Sequence, residues 1–146
     1  MADVLLINPK VFKKESKSDI IVPPINLLRL ASTLVEEGFS VKIIDFRVEN
    51  SYNELERQLK KSPICAGLTA VTGTQIKYGL EVSRHIKSFD IPVVWGGKHP
   101  TADPYLTIRN EYIDFIVKGE GEYTFLELVK GLEGKKVAVF LNCFGL

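Results

Sequence analysis

Residues 3–8 read DVLLIN, with four apolar side chains in an unbroken row. A strand with one wet face alternates polar and apolar residues. A continuous apolar run suits a strand buried on both faces, as in a parallel sheet covered by helices. Four further runs repeat the signal: SVKIIDF (40–46), ICAGLTA (64–70), IPVVWG (91–96) and IDFIVKG (113–119).

Helical patterns fill the intervals. Leu27, Leu30, Ala31 and Leu34 recur at i, i+3, i+4 and i+7, with Pro23 and Pro24 ahead of them and Gly38 placed as a stop. Ser51 and Glu54 read as a capping box for a helix that turns Leu55 and Leu59 inward. Thr72 or Gly73 opens a third helix with Ile76, Leu80, Ser83 and Ile86 on one side, and a short fourth begins near Thr101 or Asp103. Phe125, Leu128, Val129 and Leu132 define a fifth. Five strands alternating with five helices predict an α/β fold. The expected form is a flavodoxin-like (Rossmann-type), doubly wound parallel sheet of order 2-1-3-4-5 in three αβα layers.

A chain of 146 residues can bury a proper core as one domain, assigned here to residues 1–134. Residues 135–146, KKVAVFLNCFGL, follow a pattern already complete and are expected to be a sixth strand or a truncation remnant. A net charge of +1 gives no electrostatic case for nucleic acid or an anionic membrane. Lys13, Lys14 and Lys17 are interrupted by Glu15 and Asp19 and read as a solvated loop. No apolar stretch approaches the ~20 residues of a spanning helix, and the N-terminus lacks the pattern of a signal peptide. Cys65 and Cys143 lie far apart, which excludes a self-contained cysteine-based zinc or iron–sulfur site. A cytoplasmic location with reduced thiols is the expectation.

In such sheets ligands bind at the carboxyl ends of the strands. The residues expected there are Asn8-Pro9, Asp45-Phe46, TAVTGTQ (69–75), GGKHPT (96–101) and GEGE (119–122). Three of these five edges are rich in glycine or threonine, and side chains suited to acid–base work are sparse. Glycine leaves room for a bulky group against the backbone, and hydroxyls with helix-start amides supply hydrogen bonds. Each glycine singly suits a tight turn equally well; three such edges on one rim favour a cofactor cradle over a catalytic centre. A P-loop is excluded because His99, not Ser or Thr, follows Gly97-Lys98. A receiver-type acidic cluster is missing, because Asn8-Pro9 and Thr69-Ala70 occupy its places. FMN binding is disfavoured by the long charged stretch NPKVFKKESKSD (8–19) after strand one.

The motifs TGTQ (72–75), WGGKHPT (95–101) and GEGE (119–122), in order and each after a strand, carry a specific resemblance. Together with VLLINP (4–9) and PPINLLRLASTLVEEGFSVKIIDF (23–46), they make the chain, over residues 3–132, closely similar to one family. That family is the N-terminal cobalamin-binding domain of cobalamin-dependent radical-SAM enzymes. It includes methyltransferases and the anaerobic magnesium-protoporphyrin IX monomethyl ester cyclase. The resemblance implies a corrin lying across the carboxyl rim, with its nucleotide tail threading down beside the strands. Carried over by position, Asn8 and Pro9 border the ring. Thr69, Ala70, Val71, Thr72, Gly73, Thr74 and Gln75 line the tail and the lower corrin face. Gly96 and Gly97 give the tail clearance, with Lys98, His99 and Thr101 beside them, and Gly119, Glu120, Gly121 and Glu122 close the far side.

Two features depart from what related cobalamin proteins carry. The DxHxxG motif of methionine-synthase and mutase domains, whose His binds cobalt, has no counterpart after strand one, which runs into NPKVFKK. The radical-SAM group also lacks it, which implies cobalamin without a protein imidazole and with its benzimidazole swung away. The radical-SAM half with its CxxxCxxC motif is absent too. The iron–sulfur cluster and S-adenosylmethionine would then belong to a missing partner domain, in cis or in trans, and the isolated domain is expected to be non-catalytic. His99 is expected to touch the corrin without coordinating cobalt. His85, beside Arg84 and Lys87, is expected on a solvated face, and Trp95 in the core. The rival readings are an FMN or nucleotide carrier on the same fold, and an interaction domain that has lost its ligand.

Overall fold

The computed structural model describes residues 2–11, 21–48 and 51–134 and the backbone of 143–145. The lysine cluster at 13–17 and most of the tail from 135 lie outside the described residues. The strands are β1 (Val4–Asn8), β2 (Val41–Asp45), β3 (Cys65–Thr69), β4 (Val93–Gly96) and β5 (Phe115–Val117). They run parallel in the order β2-β1-β3-β4-β5, as the uninterrupted apolar runs require. A further strand, β6 (Cys143–Gly145), pairs antiparallel with β5.

The helices are α1 (Ile25–Glu36), α2 (Tyr52–Leu59), α3 (Thr74–Lys87), α4 (Lys98–Ala102), α5 (Pro104–Ile108) and α6 (Glu122–Leu132). Side chains alternate across the sheet, so each strand feeds two cores. Leu5, Ile7, Ala66, Leu68, Val93, Trp95 and Ile116 face one, with Leu55 and Leu59 of α2 and Val82 and Ile86 of α3. Val4, Leu6, Cys65, Val94 and Val117 face the other, with Leu27 and Leu34 of α1 and Phe125, Leu128 and Val129 of α6. Trp95 is 1% exposed and donates its indole N–H to Ser83 Oγ at 2.9 Å, which makes it a core residue of the first face.

Three local expectations are corrected. Ser51 precedes α2 but makes no side-chain capping bond. Its backbone (φ −89°, ψ 11°) is not the extended conformation of an N-cap, and Glu54 is drawn instead to Gln58 at 2.8 Å and Arg57 at 2.6 Å. The fourth helical segment starts at Lys98, earlier than Thr101, and divides in two, the second part opening at Asp103 as expected. Asp103 ends α4 and caps α5 by accepting from the Leu106 amide at 3.1 Å, with Pro104 at the first helical position. His85 is only partly on a solvated face, with its side chain 30% exposed. Helix α2 packs beside α3, so the ring stands between Tyr52 and Phe89, with centroids 5.6 and 5.7 Å away, and Nε2 lies 3.3 Å from Glu56 Oε1.

Candidate functional site

The loops after β3, β4 and β5 meet at the carboxyl rim, where a cavity of about 560 Å³ opens and runs down the sheet face beneath α1 and α6. Ten of the residues expected at a site line it: Thr69, Val71, Gly96, Gly97, Lys98, Thr101, Gly119, Glu120, Gly121 and Glu122. Strand parity explains the choice. Thr69 and Gly96 are register partners, and each lies two residues beyond a groove-facing position, Gly67 and Val94.

The mouth is polar. Asn26, in the first turn of α1, donates through Nδ2 to Thr69 Oγ1 at 2.9 Å, and Thr101 Oγ1 accepts from the Gly119 amide at 2.9 Å. Arg29 reaches Glu122 at 2.9 Å and Glu120 at 3.6 Å across the opening. The inner wall is apolar, made of Leu6, Leu27, Val94, Val117 and Phe125, each at most 5% exposed. Its end is closed at Gly67, where an added Cβ would lie 3.0 Å from Phe125 Cζ and 3.2 Å from Leu6 Cδ2.

Asn8, Pro9, Ala70, Thr72, Gly73, Thr74, Gln75 and His99 lie outside this cavity. Most of them build the rim. Gln75 Nε2 donates to Asn8 Oδ1 and to the Pro9 carbonyl, both at 3.0 Å, and its Oε1 accepts from the Val71 amide at 2.8 Å. Thr74 Oγ1 donates to the Val11 carbonyl. Gly73 caps α3 with φ +118°. Ala70 is fully buried, and its carbonyl accepts from the His99 amide at 3.0 Å. The His99 ring takes a local partner, with Nδ1 3.2 Å from Thr72 Oγ1.

Gly97 lines the cavity but has a second reason to be glycine. Its φ is +102°, and a Cβ there would lie 2.9 Å from Thr69 Oγ1 and 3.0 Å from the Ala70 carbonyl. Gly96 differs: an added Cβ would meet only the Val117 carbonyl, at 3.6 Å. Clearance into the groove therefore belongs to Gly96, while Gly97 allows the β4 turn to press on the end of β3.

The sequence reading missed Leu6, Asn26, Leu27, Arg29, Leu30, Gly67, Leu68, Val94, Val117 and Phe125. Gly67 was the available signal, since a glycine inside a strand marks close approach. The apolar wall looks like ordinary core until two helices are seen to part above it.

Among the described residues no group of three or more His, Cys, Asp or Glu side chains could hold a metal. Burial pushes the Cys65 thiol up to about 12, so it stays protonated and inert. No helix among the described residues is long and apolar enough to cross a membrane.

The family described as "B12 binding domain" matches residues 16–129. An uncharacterized methyltransferase of Pyrococcus horikoshii, PH0819, is 40% identical over 115 residues, which cover 75% of this chain and 25% of that protein. Among solved structures, the radical S-adenosylmethionine methyltransferase TsrM from Kitasatospora setae, with cobalamin and a [4Fe-4S] cluster bound, is 26% identical with a TM-score of 0.81. That match covers 99% of this chain and 29% of TsrM. The cobalamin-dependent S-adenosylmethionine radical enzyme OxsB, with aqua-cobalamin bound, shares the fold at 24% identity and a TM-score of 0.72, over 97% of this chain and 20% of its own. The chain thus spans about a quarter of the curated relative and less than a third of the solved ones. With most of its length inside the family match, the chain belongs to the B12-binding domain family.

Proposed function

We propose that this chain holds a corrinoid at the carboxyl edge of its sheet, with the nucleotide tail in the groove beneath α1 and α6. The observation that carries the reading is the groove itself. It begins where the loops after β3, β4 and β5 converge, and it continues inward along a wall kept open by Gly96. The polar mouth suits the amide- and phosphate-bearing part of such a ligand, and the apolar interior suits its flat base.

Cobalt in this site is without a protein imidazole. His99 is engaged with Thr72 outside the cavity, and His85 lies across the sheet between Tyr52 and Phe89. Residues 1–134 are the binding unit, and they serve a radical-SAM methyltransferase or cyclase domain supplied in cis or in trans. TsrM, which contains both cobalamin and an iron–sulfur cluster over a chain more than three times as long, supports that arrangement. The cluster and S-adenosylmethionine belong to that partner, and the present unit binds rather than catalyses.

The test is direct. Purified protein is mixed with hydroxocobalamin and desalted, and its visible spectrum is read. Corrin absorbance should be retained with a base-off band. A flavin spectrum in the protein as purified, or passage of all corrinoid through the column, would refute the assignment.

A further inference from the structure

Resting on the reading of the groove as a corrinoid tail site, we propose that its inner wall selects the chemistry of the corrinoid's lower base, accepting a benzimidazole and rejecting a purine. The two bases have similar outlines but differ in their six-membered rings. Dimethylbenzimidazole carries methyl groups there, whereas adenine carries two ring nitrogens and an amine.

The groove divides sharply by polarity. Its polar side chains, among them Asn26, Thr69, Lys98 and Thr101, stand at the rim, while Leu6, Leu27, Val94, Val117 and Phe125 form the interior. None of those five side chains offers a donor or acceptor. Of the strand residues among them, Leu6 and Val94 lie in the parallel ladders of β1, β3, β4 and β5, and Val117 pairs with Cys143 of β6. A purine pushed inward would lose its water and find no replacement, which buried polar groups tolerate poorly. The methylated ring of a benzimidazole has nothing to leave unpaired. It would gain contact with the Phe125 ring and Leu6 at the closed end.

The experiment compares three ligands with the same upper substituent: cobalamin, the adenine-based cobamide, and cobinamide, which has no nucleotide. Affinities are read by absorbance titration of the purified protein. Cobalamin should bind roughly tenfold to a hundredfold more tightly than the adenine form. Cobinamide should also be weaker than cobalamin. Val94→Thr and Val117→Thr each place a hydroxyl in the wall, so either should narrow the cobalamin-to-adenine gap several-fold and leave cobinamide affinity unchanged. Two sites are used so that a folding defect in one variant leaves the other informative. Tighter or equal binding of the adenine form with weaker cobinamide overturns the selectivity and leaves the tail in the groove; equal binding of all three overturns the selectivity and the tail placement together, while corrinoid binding itself survives. Failure of every corrinoid to bind overturns the corrinoid reading as well.

Discussion

At Gly97 the backbone turns with φ +102° and leaves 2.9 Å between an added Cβ and Thr69 Oγ1, whereas its neighbour Gly96 faces open groove. The pair is legible in the sequence as a close approach, but not which glycine approaches what. That depends on strand parity and on how hard β4 presses on β3. Gly97→Ala should therefore lower stability by about 1–3 kcal/mol through left-handed strain, with the steric clash adding to it. Gly96→Val should fold with near-native stability, since a branched residue suits a strand, yet lose at least tenfold in corrinoid affinity. Urea titration and absorbance titration of both variants separate the effects. A second residue gives a pH signature. The Ser40 hydroxyl and amide both donate to the Asp3 carboxylate, at 2.6 and 2.7 Å, and hold it below the usual carboxylate value. A depressed folded value contributes stability above the ordinary range and loses it as pH falls through the folded value. Asp3→Asn should then lower the urea midpoint at pH 7, and the difference from wild type should shrink as pH drops below about 4.

Among the elements, the strands were the easiest to find, because burial on both faces writes an unbroken apolar run into each. Helix beginnings were harder. Ser51-x-x-Glu54 has the right letters for a capping box, but the incoming chain gives Ser51 the wrong backbone, and cations beside Glu54 compete for its carboxylate. The turn at Gly97 starts α4 ahead of the threonine expected to open it. Gln75 has a structural role that its position in the sequence does not reveal. Expected at the ligand by position, it also joins the end of β1 to the loop after β3 through bonds to Asn8, Pro9 and Val71, and it is 4% exposed. Gln75→Leu should cost about 1–3 kcal/mol for each polar group it leaves buried and unpaired. Because those segments shape the rim, hydrogen exchange at the Val71 amide should accelerate in the same variant. Unchanged exchange there would mean that the bond to Val71 does not hold the loop.

At the scale of the molecule, one sheet order produces both the core and the site. Right-handed crossovers send α1 and α6 to one face and α2 and α3 to the other, and the groove forms where α1 and α6 part above β3 and β4. This much follows from the alternation of strands and helices, which is why the rim could be located in the sequence. The apolar interior could not, because Leu6 and Val94 carry the same letters whether they wall a groove or fill a core. A ligand seated against so much of the native sheet binds the folded chain and not the unfolded one, so it must raise stability by mass action. With free hydroxocobalamin at a hundred times its dissociation constant the gain is about 2.7 kcal/mol, or roughly 5–10 °C in Tm for a domain of this size. His99→Ala should show nearly the same rise and the same cobalt spectrum, since that ring bonds Thr72 outside the cavity. Gly96→Val should melt close to wild type without ligand and gain little with it. If the histidine variant lost the thermal shift and the glycine variant kept it, the ligand would be held by the outer loops and not by the groove.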